Sequence, residues 1–234
     1  MEINPRLTMS LLSVGSEKTP VIVIDDFMTS LESVRNQALQ ASYATPPRGL
    51  FYPGLTSPVD GAYGNALLRA IAPIFHREEF NVPRGLTLYP VDGIFSLITT
   101  QQEDLRTRQR LPHFDRPSEN AFAVLHYLNE GEFGGTAFYR HKPSGYERVS
   151  ESRVSIFEET LGNFLGENGE PEKKYFTDSS EHFELLDVVP YKQNRLVIYP
   201  SNVLHSAYIK NPSRDVNSSP VEGRLTANFF ITFA

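Results

Sequence analysis

From residue 86 onward the chain is cut into short runs of β-branched and aromatic residues separated by turn residues, and this texture limits the possible folds most. The runs are Leu86–Tyr89, Ile94–Thr99, Ala121–Leu128, Arg195–Tyr199 and Arg224–Phe233. Segments of this length between Gly, Pro, Asn and Ser read as strands of a sandwich or barrel. The 16 Phe and 11 Tyr suit packed β structure. The N-terminal part mixes elements. Val21-Ile22-Val23-Ile24 reads as a strand stopped by Asp25-Asp26. Thr29 or Ser30 is placed to cap a helix over Leu31–Ala41, with Val34, Ala38 and Ala41 as its apolar side. Pro46-Pro47 and Pro53-Gly54 mark a loop. A second helix over Ala62–Phe75 carries the stripe Leu67, Leu68, Ile71 and Phe75. The segment Glu151–Phe164 reads as an inserted helix, ended by Gly166 and Gly169. The expected layout is one domain over residues 1–234, mainly β with flanking helices. Residues 1–85 support a β core over 86–234, which carries an insertion at about 140–190.

Several functions are disfavoured before any motif is considered. The chain contains no Cys, which removes disulfides, thiolate metal sites and Cys nucleophiles together. A net charge of −6 repels phosphate backbones, so neither nucleic acid nor an anionic membrane is the expected partner. No apolar stretch approaches membrane-spanning length and no signal peptide is visible, so the expectation is a cytoplasmic protein. Gly-x-Ser-x-Gly and Gly-rich nucleotide motifs are absent as well.

A functional metal would therefore need His and carboxylate ligands. Two His and one Asp or Glu on one face of iron leave three positions open for substrate and oxygen. On a strand, residues i and i+2 share a side, so His-x-Asp/Glu supplies two such ligands. Six His and 28 acidic residues among 234 predict fewer than one such pair by chance, and the sequence holds three. His76-Arg77-Glu78 ends a helical stretch, where i and i+2 point about 200° apart, and reads as surface. His182-Phe183-Glu184 lies in a possible strand after a charged stretch. His113-Phe114-Asp115 is distinguished by its surroundings. It precedes the core run Ala121–Leu128 and the glycine turn Phe133-Gly134-Gly135-Thr136-Ala137-Phe138. Further on, the strand Arg195–Tyr199 turns through Pro200-Ser201-Asn202 into a strand beginning at His205. The last strand then brings Arg224 and Thr226 onto one face, and an arginine aimed into a core requires an anionic partner.

Taken in order, HFD at 113–115, HYLN…GGTAF at 126–138, RLVIYPSNVLH at 195–205 and GRLTANFFI at 223–231 resemble the iron(II)- and 2-oxoglutarate-dependent oxygenases. The prolyl-hydroxylase-like branch is the nearest match, within an uncharacterised bacterial group. The resemblance covers about 86–234 and, more loosely, VIVIDDF at 21–27. It implies a double-stranded β-helix, the jelly roll also seen in cupins. It implies that His113, Asp115 and His205 bind Fe(II), and that Arg224 pairs with the distal carboxylate of 2-oxoglutarate. Thr226 would add a hydroxyl, and Tyr127 would line the site. The implied activity is hydroxylation, with O₂ consumed and 2-oxoglutarate decarboxylated to succinate. Asp115 favours this outcome, because halogenating relatives carry Gly or Ala there.

Two spacings are longer than in compact relatives: Asp115 to His205, which contains the insertion, and His205 to Arg224, which contains the polar loop Asn211–Glu222. Many relatives also place a Tyr on the strand before the HxD. Here Phe95–Gln101 holds none, so another hydroxyl or an amide is expected to replace it. Of the remaining candidates, His126 reads as a structural histidine, Glu158 and Glu159 as a solvated helix face, and Tyr139-Arg140-His141 as possible substrate contacts at the pocket mouth. The expected substrate is a small molecule or a peptide, and the insertion makes a homodimer plausible. Two alternatives stay open at this stage: a non-catalytic jelly-roll binding module, and a cupin-like metal enzyme that does not use 2-oxoglutarate.

Overall fold

A computed structural model describes residues 2–47 and 51–234. Its ten strands are β1 (Thr8–Val14), β2 (Thr19–Asp25), β3 (Gly54–Pro58), β4 (Leu88–Ile98), β5 (Ala121–Tyr127), β6 (Thr136–His141), β7 (Phe183–Val189), β8 (Leu196–Pro200), β9 (His205–Ala207) and β10 (Leu225–Phe233). The helices are α1 (Glu32–Gln40), α2 (Gly61–Ile71), α3 (Val154–Asn168) and the single turn α4 (Pro212–Asp215). One sheet runs β1-β2-β8-β5-β10-β4-β3 and the other β7-β6-β9. Every pairing is antiparallel.

Three apolar layers follow from the period-2 alternation of the strands. On one face of the large sheet, Phe122, Val124, Leu196, Ile198, Ala227, Phe229 and Ile231 pack against Val34 and Ala38 of α1 and Leu67, Leu68 and Ile71 of α2. On its other face, Ala123, Leu125, Tyr127, Val197 and Tyr199 meet Phe138, Val189 and Tyr191 across the gap between the sheets. The outer face of the small sheet, with Ala137, Tyr139 and Phe183, is covered by Phe157 and Leu161 of α3. Strand β5 lies at the centre of this arrangement, and all seven of its residues are buried.

Several expectations need correcting in detail. The first helix begins at Glu32, and its N-cap residue Leu31 supplies no side-chain cap; Ser30 Oγ accepts from the Glu32 amide at 3.2 Å. Of the loop expected across residues 46–54, residues 48–50 lie outside the described residues, and Gly54 already starts β3. The runs 86–89 and 94–99 form one strand, β4, whose irregularity is taken up opposite Phe229 and Phe230 of β10. The second helix tightens into a 3-10 turn over Ala72–His76, where Pro73 sits in the first turn. The inserted helix runs past Gly166 to Asn168, and Gly169 ends it at φ 76°. The stretch read as an insertion also contains β7, which pairs along β6 and is therefore part of the small sheet. No helix among the described residues is long and apolar enough to cross a membrane.

Candidate metal centre

His113 and His205 are brought together by main-chain bonds. The His113 amide donates to the His205 carbonyl at 2.9 Å, and the His205 amide donates back at 2.8 Å. Two residues on, the Asp115 amide donates to the Ser201 carbonyl at 2.8 Å. The turn between β8 and β9 therefore holds the HxD segment at both ends, and His205 opens β9 beside it. The resulting geometry is close. One ligating atom from each of His113, Asp115 and His205 lies within 4.8 Å of the others, and among the described residues this is the one such group of three or more. Asp115 stands 3.9 Å from His113 Nε2 and 3.7 Å from His205 Nε2.

The chemistry of these atoms suits a divalent cation. His205 Nδ1 is 3.0 Å from the Val203 carbonyl, so Nδ1 carries the proton and the Nε2 lone pair is free to ligate. Burial pushes the His205 imidazole down to about 4, and loss of water around its ring nitrogens together with the neighbouring His205 lowers His113. Both rings are thus neutral near pH 7, as a metal requires. Burial also raises Asp115 to about 6, and its Oδ2 is buried without a hydrogen-bond partner. An orphaned carboxylate oxygen between two unprotonated imidazole nitrogens is a costly arrangement that a cation relieves. His113 keeps half of its side chain open, which leaves a route to the centre.

Arg224 is 2% exposed and has no acidic partner among the described residues. Its Nε donates to the Gly134 carbonyl at 2.7 Å and Nη2 to the Gly135 carbonyl at 2.8 Å. The glycine turn is built for this approach. A Cβ at Gly134 would collide with the Tyr208 carbonyl, and one at Gly135 with the Val189 carbonyl. Thr226 lies on the same face as Arg224, and its Oγ1 is buried and unpaired. Tyr127 stacks on Tyr191 at 4.4 Å, lies 5.6 Å from the Arg224 guanidinium, and shares a 2.8 Å hydrogen bond with Thr136 Oγ1. Tyr199, which the motif reading passed over, packs its ring 5.0 Å from His205. Its alternation with Val197 along β8 is the sequence signal that would have placed it inward.

The other histidines are engaged elsewhere. His76 Nδ1 meets the Val82 carbonyl at 2.9 Å. His126 is a structural histidine, held between Tyr63 Oη at 2.7 Å and Asn194 Oδ1 at 3.2 Å. His182 is only 2.8 Å from His141, nitrogen to nitrogen, and Phe164 stacks on its ring. Tyr139-Arg140-His141, candidates for substrate contact, make their hydrogen bonds within the fold. Tyr139 donates to the Phe176 carbonyl, Arg140 pairs with Glu147 and Glu184, and His141 holds Ser144. Glu158 faces outward as expected and pairs with Arg108.

Fold and site together define a class: a mainly β protein of two facing sheets, consistent with a jelly roll, carrying a His-Asp-His group suited to a divalent metal. The chain belongs to DUF6445, a family of unknown function whose model matches residues 5–231. Among solved structures it is similar to HygX from Streptomyces hygroscopicus with nickel and 2-oxoglutarate bound. The identity is 15% over 92% of this chain and 84% of that one, with a TM-score of 0.51, so the two share a fold. Also similar are SnoN, the non-heme alpha ketoglutarate dependent epimerase from nogalamycin biosynthesis (14% identity, 92% and 78% covered, TM-score 0.49), and EctD from S. alaskensis with bound Fe (11%, 99% and 86%, 0.42). No curated protein matches the chain.

Proposed function

We propose that this protein is an iron(II)- and 2-oxoglutarate-dependent oxygenase of the prolyl-hydroxylase-like branch, acting as a hydroxylase on a small molecule or a peptide. The observation that carries the reading is the convergence of His113, Asp115 and His205, supported by Arg224, a buried arginine with no ion-pair partner among the described residues. His113 and His205 contribute neutral nitrogens and Asp115 an anionic oxygen, a set that fills one face of a ferrous ion and leaves the other for exchangeable ligands. When bound, Fe(II) with 2-oxoglutarate supplies O₂ activation coupled to release of CO₂ and succinate. Arg224, with Thr226 beside it, offers the positive end that the distal carboxylate of a diacid requires. Tyr127 flattens one wall against the guanidinium and excludes water from it.

The test is spectroscopic. Anaerobic addition of Fe(II) and then 2-oxoglutarate should give a weak visible charge-transfer band, and aerobic incubation with ascorbate should give slow succinate formation. His113→Ala should lose both while keeping its far-ultraviolet circular dichroism. Equal succinate formation by wild type and His113→Ala would rule the reading out. A metal enzyme that does not use 2-oxoglutarate would bind Fe(II) and give no band.

A further inference from the structure

Arg224 by itself cannot saturate a carboxylate. Its Nε and Nη2 donate to the carbonyls of Gly134 and Gly135, which leaves Nη1 and the second Nη2 hydrogen to meet two of the roughly four hydrogen bonds a carboxylate accepts. Other donors are needed, and the expected tyrosine is missing from β4. Five phenols feel the charge of Arg224: Tyr52, Tyr127, Tyr175, Tyr191 and Tyr199. Three of them have hydroxyls in use. Tyr127 bonds Thr136, Tyr175 donates to the Thr100 carbonyl at 2.6 Å, and Tyr191 donates to the Leu225 carbonyl at 2.9 Å. Tyr199 packs against His205, at the metal end.

Tyr52 is different. Its hydroxyl is buried and has no hydrogen-bond partner, as is Thr226 Oγ1. The two belong to one corner of the fold. Thr226 is opposite Ser96 in the pairing of β10 with β4, and the Ser96 hydroxyl lies against the Tyr52 phenol. A buried hydroxyl left unpaired is costly, so two of them in the field of a guanidinium mark a place short of an acceptor. The phenol is also firmly held. The Tyr52 carbonyl accepts from Gln109 Nε2 at 3.1 Å and from the Gly54 amide at 3.0 Å, and the ring packs on a cluster of Ile98, Leu105, Tyr175, Ile209 and Val216.

We propose that Tyr52 is a ligand of the diacid's distal carboxylate, donating its hydroxyl alongside Thr226 and Arg224 and taking the place of the tyrosine absent from β4. The inference rests on the 2-oxoglutarate reading above and adds a residue from outside the four sequence blocks that led to it. No proton is transferred. The phenol donates a hydrogen bond, the carboxylate accepts it, and burial keeps the phenol protonated. Tyr175 belongs to the stretch between α3 and β7 and packs in the same cluster, so that stretch walls the same corner.

Equilibrium binding tests this without turnover. Wild type and Tyr52→Phe, each loaded with Ni(II), are titrated calorimetrically with 2-oxoglutarate and with 2-oxobutyrate, which keeps the chelating end and lacks the distal carboxylate. Tyr52→Phe should weaken 2-oxoglutarate about ten-fold, the worth of one charge-assisted hydrogen bond, and leave 2-oxobutyrate unchanged. Unchanged binding of 2-oxoglutarate, or equal weakening of both ligands, overturns the role of Tyr52 while leaving the diacid reading in place. If wild type binds neither ligand, the diacid reading itself fails and the inference goes with it. Thermal unfolding of the variant within a few degrees of wild type confirms that both titrations report on the folded protein.

Discussion

His126 illustrates what a single buried residue contributes. Tyr63 donates to its Nδ1, and its Nε2 hydrogen faces Asn194 Oδ1, so the neutral ring is fully satisfied where it sits. Burial pushes its pKa down to about 4, against 6.5 when solvated. The unfolded chain therefore binds the proton more readily than the fold does. The stabilisation is complete above about pH 6.5 and is lost as pH falls toward 4. Urea unfolding at pH 7 and pH 4.5 should show a loss in wild type that is about 2 kcal/mol smaller in His126→Gln, although that variant starts out less stable at pH 7. An equal loss in both would mean that the imidazole is not held neutral. The same shift at His113 and His205 has a different use, because there the free lone pairs face one another across Asp115.

At the scale of elements, the glycine turn before β6 ties the two sheets to the site. Its carbonyls hold Arg224, which leads into β10, and its lack of side chains lets the Tyr208 and Val189 carbonyls approach. Gly135→Ala should place a methyl on the Val189 carbonyl, cost about 1–3 kcal/mol in denaturant unfolding, and weaken 2-oxoglutarate binding through the displaced guanidinium. A variant of wild-type stability and affinity would show that the turn gives way freely. Some elements were readable from sequence and others were not, for one reason. Strands β5, β8 and β10 lie inside the large sheet with both faces covered, so their apolar runs are dense. Strands β1, β3 and β7 lie at sheet edges. Most of β1 is solvent-exposed, and β7 carries Glu184 and Asp187 among apolar residues with no period-2 pattern. Such strands are specified by their neighbours more than by their own pattern.

Across the whole molecule, the N-terminal segment is structurally continuous with the core. Strand β2 pairs with β8, the strand leading into His205, and β3 pairs with β4. Helices α1 and α2 cover one face of the large sheet. A fragment of residues 86–234 should therefore expose Leu196, Ile198 and Phe229, bind a hydrophobic dye and melt without a cooperative transition. A cooperative two-state melt of that fragment would show that the core stands alone.

Strand alternation and His-x-Asp spacing are local properties, so the β texture, the two helices over the sheet and a short set of ligand candidates are legible in the residues alone. The sequence could not rank Tyr52, which has only Pro53-Gly54 as local context and gains meaning beside Ser96 and Thr226, residues of distant strands. Nor could it determine that one edge of the Arg224 guanidinium is held by the glycine turn, or that His141 meets His182. Those outcomes depend on which side chains share a buried space, and only tertiary packing brings distant residues into one.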